Sequence, residues 1–229
     1  SRLPVTAVAA IIQHNTSGII SLKDSGITSP KGMEGHSYAT WDMPIEQAII
    51  KKVVTDDGGD YSKINLISTS VEDIKAALSS NIDSVWIYYA WDGIACELQG
   101  LDTNFFYFKD YSPELDDYSP VIIANNNFLK NNSEVAKKFM AALSKGYDYA
   151  IENPDDAAQI LVDANEGLDI ELCKKSQNWL ASQYKADADK WGVIDQKRWD
   201  AFYGWVYDNG LCEIDIPDGF GFSNDYLPE

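Results

Sequence analysis

The fold of this chain is decided by residues 85–93, which run Val85-Trp86-Ile87-Tyr88-Tyr89-Ala90-Trp91-Asp92-Gly93. The β-branched and aromatic residues of the first half fit a pleated, half-buried surface and predict a buried strand. Gly93 lets the chain turn sharply away from that strand. Because ligands of open α/β sheets bind just beyond the carboxyl ends of strands, the loop that follows predicts contact with a planar, hydrogen-bonding small molecule, neutral or cationic.

The same stretch also has a purely structural interpretation. Trp86 and Tyr88 would then be core residues, and Trp91 would pack against a helix. The local sequence favours neither interpretation, because aromatic side chains contribute heavily to packed cores and to binding surfaces alike.

Strands and helices alternate along the chain up to about residue 125. Strands are predicted at residues 4–12, 19–22, 36–41, 64–67, 84–89, 105–108 and 119–124. Pro44 suits the first turn of a helix, because its missing N–H would be unpaired there, and Ser70 is a suitable N-cap for a helix at 71–78. Such alternation predicts an α/β fold with βαβ units and a parallel sheet.

From Ser133 onward the pattern is helical. Asp169 and Asp195 are suitable N-caps for two of the helices in this part of the chain. Asn209-Gly210 predicts the end of the last helix, since Gly readily adopts the left-handed conformation found there.

The composition excludes several classes of function. Thirty-six Asp and Glu against 18 Lys and Arg give a formal net charge of -18, which disfavours nucleic acid and anionic membrane surfaces as partners. No run of about 18 apolar residues is present, so no membrane-spanning helix is predicted. Cys96, Cys173 and Cys212 form no CxxC motif and are expected to be free thiols, with one disulfide as a minor alternative.

The sequence contains no recognised catalytic or metal-binding motif. GxGxxG, GxxxxGKS/T, GxSxG and HExxH patterns are all absent. His14 and His36 are too few for a His-based zinc site, and we expect His14 to be a polar lining residue rather than a catalytic base. Neither a cofactor nor a metal ion is expected.

Aromatic side chains recur at the carboxyl ends of the predicted strands. Trp41, Tyr89 and Trp91 occupy such positions, with Glu46 and Asp92 close behind. Aromatic rings can sandwich a planar ring or hold a cation, and carboxylates accept hydrogen bonds from exocyclic amines. The alternative for Trp41 is that it packs against the helix that begins near Pro44.

Five segments have a familiar order and spacing. They are Leu-Pro-Val-Thr-Ala-Val-Ala-Ala-Ile-Ile-Gln at 3–13, Asn-Thr-Ser-Gly-Ile-Ile-Ser-Leu at 15–22, Tyr-Ala-Thr-Trp at 38–41, Pro-Ile-Glu at 44–46 and Trp-Ile-Tyr-Tyr-Ala-Trp-Asp-Gly at 86–93. Together they resemble the NMT1/THI5-like family, the pyrimidine-precursor branch of the periplasmic-type solute-binding proteins. The resemblance covers most of the chain to about residue 150, and its specificity comes from the order and spacing of individually weak motifs.

The resemblance implies an α/β fold of the periplasmic-binding-protein-like class II type, with parallel-rich sheets and two lobes that close around a ligand by a hinge. Lobe one would hold residues 1–32 and 119–229, lobe two would hold residues 33–118, and strands at 19–22 and 121–124 would cross between them. The implied function is solute binding for an ABC importer, with a thiamine-related pyrimidine such as hydroxymethylpyrimidine or formylaminopyrimidine as ligand and a permease as partner. The implied location is extracytoplasmic, periplasmic or lipid-anchored, with the signal segment outside this sequence.

The resemblance also implies a ligand site in the cleft between the lobes. Six residues are expected to form it: Asn15, Trp41, Glu46, Tyr89, Trp91 and Asp92. The three aromatic rings would stack on or wall the pyrimidine, and the two carboxylates would accept hydrogen bonds from ring or exocyclic nitrogens. Asn15 would add a polar contact from lobe one.

The sequence also allows three other functions. A sulfonate or nitrate ligand would call for Arg, Lys or helix N-termini, and the candidate segments contain no Arg. A eukaryotic branch of the family makes the pyrimidine from its own histidine and a bound vitamin B6 cofactor, but its CCCFC motif is absent, so no enzyme is expected. A third alternative is a lobe that binds nothing and serves only in assembly.

This chain departs from the family pattern at its start. Family members normally begin with a further block of lobe one, so the N-terminal part of that lobe is expected to be missing. Sheet edges and apolar surface would then be exposed, which predicts self-association of the chain.

Overall fold

The computed structural model describes residues 3–229. In chain order the strands are β1 (Val5–Ala10), β2 (Ser17–Leu22), β3 (Ser37–Thr40), β4 (Asn65–Ser68), β5 (Ser84–Tyr88), β6 (Thr103–Tyr107) and β7 (Val121–Asn125). The α-helices are α1 (Pro44–Asp56), α2 (Ile74–Leu78), α3 (Ile94–Leu98), α4 (Asn126–Asn131), α5 (Ser133–Glu152), α6 (Pro154–Ala164), α7 (Ile170–Ala181) and α8 (Gln196–Asp208).

The chain divides into two compact units. Unit 1 contains the chain up to Asn15 together with Asp117–Gly204 and Asp215–Glu229. Unit 2 contains Thr16–Asp116 and Trp205–Ile214.

Unit 2 is built on a mixed five-stranded sheet in the order β4-β3-β5-β2-β6. β3 pairs in parallel with β4 and β5, whereas β2 pairs antiparallel with β5 and β6. The sheet is therefore less parallel than the alternation of elements predicted. β2 is the first strand of unit 2, so no βα crossover within this unit forces it to run parallel to its neighbours.

β5 confirms the buried strand predicted at residues 84–89. Val85 and Ile87 are buried in a cluster that also contains Ile20 and Cys96. Because successive side chains of a strand point to opposite faces, Trp86 and Tyr88 lie on the other face. The two faces of β5 therefore differ: one is aliphatic and packed, and the other is aromatic.

β2 lies in unit 2, whereas the family resemblance implies that residues 1–32 belong to lobe one. β2 is hydrogen-bonded on both edges inside the unit 2 sheet. Gly18 permits this close fit, because a Cβ atom there would lie 2.0 Å from the carbonyl oxygen of Phe106 on β6. Sheet pairing, which a single sequence does not display, decides where β2 belongs.

Unit 1 packs helices against an antiparallel pair formed by β1 and β7. Its main core holds Val8, Met140 and Trp191. The Trp191 indole stacks on Tyr147, with ring centroids 4.1 Å apart, and its Nε1 donates to the carbonyl of Ile11 at 3.0 Å. The apolar ring of this tryptophan is therefore packed in the core, and its single polar atom has a hydrogen-bond partner.

Several local predictions are confirmed. Asp169 and Asp195 accept hydrogen bonds from the backbone N–H groups of Leu172 and Arg198, as N-caps do. Gly210, at φ 68°, follows the last helix. The expected cap Ser70 is wrong, because the helix begins three residues later and the Asp73 side chain accepts from the N–H of Ala76.

The cysteines and the helices agree with the composition. Cys96, Cys173 and Cys212 are free thiols, and the first two are buried. Within residues 3–229, none of the helices combines the length and apolar character needed to cross a bilayer.

Candidate functional site

One edge of the unit 2 sheet collects the chain segments singled out in the sequence. β3, β4 and β5 are mutually parallel, so their carboxyl ends meet there. The antiparallel strands bring the start of β2 and the end of β6 to the same edge, where Ser17 faces Tyr88 and Gly18 faces Tyr107. We call the following residues the aromatic edge: Trp41, Trp86, Tyr88, Tyr89, Trp91, Asp92 and Phe108.

Trp41 begins a row of edge-on aromatic rings. Its indole packs against Trp86 with ring centroids 5.2 Å apart, and Trp86 packs against Phe108 at 4.4 Å. Phe108 is fully buried, whereas the Trp41 side chain remains 44% exposed. The row therefore anchors Trp41 at one end and leaves part of its indole open to a ligand.

Tyr89 lies in a separate aromatic cluster. Its ring is 5.0 Å from Phe105 and 6.2 Å from Tyr107, and Phe105 packs on the aliphatic core opposite Trp86. The Tyr89 hydroxyl donates to Glu97. The rings of Trp41 and Tyr89, both expected to stack on or wall the ligand, therefore belong to different clusters.

A single tight turn, residues 89–93, carries three of the predicted site residues. It is one turn of π-helix between β5 and α3, and Gly93 closes it. A Cβ atom on Gly93 would lie 2.6 Å from Cδ2 of Tyr89, so this ring can pack only over a glycine. Trp91 projects from the turn with 41% of its surface exposed, and Asp92 is half-buried beside it.

The carboxylate of Asp92 is partly removed from water. Burial raises the pKa of the Asp92 carboxyl, and a backbone hydrogen bond from Tyr88 partly opposes that rise. A half-buried carboxylate is well suited to accept hydrogen bonds from an amine or a protonated ring nitrogen, and Asp92 is next in sequence to the exposed Trp91.

Glu46 lies fully buried in the first turn of α1. Its two carboxylate oxygens accept hydrogen bonds from the Tyr38 hydroxyl at 2.6 Å and the Thr40 hydroxyl at 2.8 Å. Burial and the bond to Glu46 both raise the pKa of Tyr38 far above its ordinary value. This geometry fits a residue that holds β3 against α1, whereas direct ligand contact would require a different arrangement of the carboxylate.

Asn15 lies in unit 1, immediately before the first residue of unit 2. It is buried, and its Nδ2 donates to Asp117 at 2.6 Å. The neighbouring His14 ring is hydrogen-bonded to Asp187 at 2.9 Å. Asn15 and the aromatic edge belong to different units.

Tyr88 would be a core residue in the purely structural interpretation of residues 85–93, but its side chain is 44% exposed. It lies on the same face of β5 as Trp86, at the last position of the strand. The alternation of side chains along β5 could have predicted this position, because Trp86 and Tyr88 are two residues apart and therefore share a face of the strand.

The aromatic edge has both acidic and basic neighbours: Lys109 follows Phe108, and its Nζ lies 4.5 Å from the centre of the Tyr107 ring. Unit 2 contains no arginine, and the carboxylates of Asp92, Glu46 and Glu97 all lie in the elements that form the edge. Within residues 3–229, no group of three or more His, Cys, Asp or Glu side chains is arranged to hold a metal ion. The edge can therefore offer flat apolar faces and hydrogen-bond acceptors to a ligand.

Comparison with protein families agrees with the sequence motifs. The model of the family described as NMT1/THI5 like matches residues 1–157. A formylaminopyrimidine-binding protein of Halalkalibacterium halodurans is 27% identical over 210 residues, which make up 89% of this chain and 63% of that relative.

A second relative has the name of an enzyme. It is the 4-amino-5-hydroxymethyl-2-methylpyrimidine phosphate synthase THI5 of Saccharomyces cerevisiae, 26% identical over 193 residues, which make up 75% of this chain and 53% of that protein. The chain thus spans less than two thirds of the length of either relative.

Solved structures share the fold. The periplasmic aliphatic sulphonate-binding protein SsuA of Escherichia coli matches with a TM-score of 0.70 at 15% identity, covering 93% of this chain and 70% of SsuA. The desulfurization enzyme DSZB matches with a TM-score of 0.65 at 11% identity, covering 98% of this chain and 78% of DSZB. The α/β fold is therefore that of the periplasmic solute-binding proteins, as predicted.

Proposed function

Because this chain belongs to the NMT1/THI5-like family, we propose that it binds a thiamine-related pyrimidine, of the hydroxymethylpyrimidine or formylaminopyrimidine type, as the solute-binding component of an ABC importer. The observation that carries the proposal is the aromatic edge, where exposed Trp41, Tyr88 and Trp91 accompany the half-buried carboxylate of Asp92. The formylaminopyrimidine-binding relative supports the same ligand class.

The chemistry of an aminopyrimidine matches these groups. The ring is flat and stacks on indole or phenol faces, and its amino group donates hydrogen bonds that a carboxylate accepts. In the proposal Trp41 and Trp91 contact the ring, and Asp92 accepts from the amine. Tyr89 walls the site through the 89–93 turn.

Glu46 takes part in the proposed site indirectly. Both of its oxygens are occupied by hydroxyl donors and its side chain is fully buried, so it supports Trp41 through Thr40 instead of touching the ligand. A permease is the proposed partner, and the proposed location is extracytoplasmic, because similar solved structures include proteins named as periplasmic binding proteins and one named as the ligand-binding component of an ABC-type import system.

Two other functions follow from the similar proteins. A sulfonate ligand is suggested by SsuA; unit 2 offers Lys109 near the aromatic edge but no arginine that could bind a sulfonate through two hydrogen bonds. Synthesis of the pyrimidine is suggested by THI5, but the histidine of unit 2, His36, precedes the amino end of β3, at the opposite end of that strand from the aromatic edge, and lies 3.5 Å from Asp83. Binding without chemistry is therefore the proposed activity.

Ligand titration by calorimetry tests the proposal. Hydroxymethylpyrimidine, its formylaminomethyl analogue, thiamine, taurine and nitrate are compared with the same protein. We expect binding of the pyrimidines alone, and a loss of about tenfold or more in affinity in Trp91→Ala, since a buried stacking contact contributes on the order of 1 kcal/mol or more.

The matched control is Tyr149→Ala, which removes an exposed aromatic side chain from α5 in unit 1. Its affinity for the pyrimidines should equal that of the wild type. Binding of taurine or nitrate with no response to pyrimidines would replace the proposed ligand by an anion. A Trp91→Ala variant that binds normally would remove the aromatic edge from the site.

Self-association is a separate proposal, carried by unit 1. Among the described residues β7 pairs with β1 alone, and a groove of about 280 Å³ opens beside it. The groove is lined only by uncharged residues, including Ile123, Phe128 and Phe139, on a chain with a net charge of -18. We favour a second copy of this chain as the occupant. Pairing of β7 with β7 of the copy would satisfy the unpaired edge of each strand. The contact would form between uncharged surfaces, so the repulsion between two acidic chains is weakest there.

A further inference from the structure

Strand β3 is held at both ends by buried hydroxyl groups. At its start, Ser37 Oγ lies 2.7 Å from the Asn81 carbonyl oxygen and 2.9 Å from Asp83 Oδ2, and its single hydrogen is donated to one of these two acceptors. At its end, Thr40 Oγ1 donates to Glu46 Oε2 at 2.8 Å. Both side chains are buried, and Thr40 has no exposed surface. The two ends are alike in chemistry, but only the second lies at the aromatic edge.

The Thr40 hydroxyl also fixes the backbone that follows the strand. It accepts a hydrogen bond from the N–H of Asp42 at 3.0 Å. Asp42 has φ 61°, in the left-handed region that costs energy for a residue with a side chain. A strained backbone persists only where its surroundings enforce it, and this hydroxyl supplies one of the bonds that do so.

Trp41 lies between these two anchored residues. Its direction is therefore set by Thr40 on one side and by the left-handed Asp42 on the other. Its indole meets Trp86 at an interplanar angle of 67°, which leaves one part of the ring exposed. A change in the 40–42 backbone would move the indole away from Trp86.

Glu46 is the base of this arrangement. Its carboxylate accepts hydrogen bonds from Thr40 and Tyr38 at once, one on each oxygen. Since a hydroxyl donates only one hydrogen, the bond to Glu46 also orients the lone pairs of Thr40 toward Asp42. The carboxylate, the hydroxyl, the turn and the indole form one chain of contacts.

We propose that Glu46 is a positioning residue: acting through Thr40 and the left-handed turn at Asp42, it sets the direction of Trp41 and thereby the affinity of the aromatic edge for its ligand. The statement about affinity rests on the proposed function, whereas the statement about the direction of Trp41 does not. Glu46 touches no ligand in this mechanism.

The test compares variants at the two ends of β3. Thr40→Val and Glu46→Gln disturb the end that leads to Trp41, and Ser37→Ala removes the matching hydroxyl at the other end. We expect the first two to weaken binding of hydroxymethylpyrimidine by about tenfold and the control to stay within about twofold, even where all three lose similar thermal stability.

A measurement without ligand tests the positioning itself. Two indoles in contact give an exciton couplet in far-ultraviolet circular dichroism, and Trp41→Phe defines how much of the spectrum belongs to the Trp41–Trp86 pair. We expect Thr40→Val and Glu46→Gln to lose that same component and Ser37→Ala to retain it. A component that survives in both variants would overturn the inference.

A double-mutant cycle separates this inference from the proposed function. In a Trp41→Ala background, Glu46→Gln should cause no further loss of affinity, because Glu46 acts through Trp41. An undiminished loss in that background would overturn the inference. If the couplet behaves as expected but the wild type binds no pyrimidine, the positioning of Trp41 is supported and the proposed function is contradicted.

Discussion

Asp92 and Glu46 show how the surroundings of a carboxylate decide its role. Glu46 is fully buried and both its oxygens are satisfied by hydroxyl groups, so it can only support its neighbours. Asp92 is half-buried, and a backbone bond from Tyr88 only partly offsets the cost of its burial. A buried charge without full compensation is expensive to keep, which favours a binding role for Asp92.

Replacing Asp92 by Asn should separate stability from binding. Burial raises the pKa of Asp92 in the folded chain, so the folded state binds its proton more tightly than the unfolded state does. Ionisation of Asp92 therefore lowers stability as pH rises through the raised pKa, and this cost is absent below the ordinary Asp pKa. Asp92→Asn should be more stable than the wild type at neutral pH and equal to it in acid.

Urea unfolding at neutral and acidic pH measures the first effect, and pyrimidine titration measures the second. The affinity of Asp92→Asn should fall by about tenfold or more, because hydrogen bonds to charged groups contribute roughly 1.5–3 kcal/mol. Asp102→Asn, at an exposed ion pair with Lys23, is the control and should change neither quantity. Lower stability of Asp92→Asn at neutral pH would show that Asp92 is a structural residue.

At the scale of the element, the 89–93 turn depends on one glycine. The Tyr89 ring covers Gly93 so closely that any Cβ atom would displace it. This turn carries Trp91 and Asp92, so its conformation determines where two of the proposed ligand contacts lie.

Gly93→Ala should lower the free energy of unfolding by about 1–3 kcal/mol, the usual cost of inserting a methyl group into a packed site. The contrasting variant is Gly146→Ala on α5, where a Cβ atom would meet nothing within 4 Å. That change should raise the free energy of unfolding by about 0.5–1 kcal/mol, because alanine favours a helix over glycine. Chemical denaturation measures both, and equal effects would contradict the packing of Tyr89 on Gly93.

At the scale of the whole molecule, charge and apolar surface are unevenly distributed. The chain has a net charge of -18, yet Ile123 and Phe139 are 59% and 61% exposed beside an uncharged groove in unit 1. Net charge of this size keeps chains apart, whereas an exposed apolar patch draws them together.

The proposed self-association should depend both on the net charge of the chain and on the apolar groove of unit 1. We expect the mass measured by light scattering to rise with protein concentration and with salt, because salt screens the repulsion between like-charged chains. Phe139→Asp should give a monomer under the same conditions. Leu66→Asp, at an exposed apolar position in unit 2, is the control and should not alter the mass. A wild type that stays monomeric at every concentration would refute this use of the groove.

The sequence by itself determined the elements of this protein and the neighbourhood of its candidate site. Alternation in β5, Pro44 at the start of α1, and the caps Asp169 and Asp195 are local features, so they could be identified without tertiary contacts. The family motifs predicted the fold, because their order along the chain survives where individual residues change.

Only the tertiary structure decided which faces and partners those residues have. In the structure β2 lies in the sheet of unit 2, and the rings of Tyr89 and Trp41 belong to different aromatic clusters. Glu46 is buried and accepts hydrogen bonds from two hydroxyl groups. These outcomes depend on strand pairing and on contacts between residues that are distant along the chain. Periodicity tells how a segment alternates between two faces, but the partners on each face are fixed by packing.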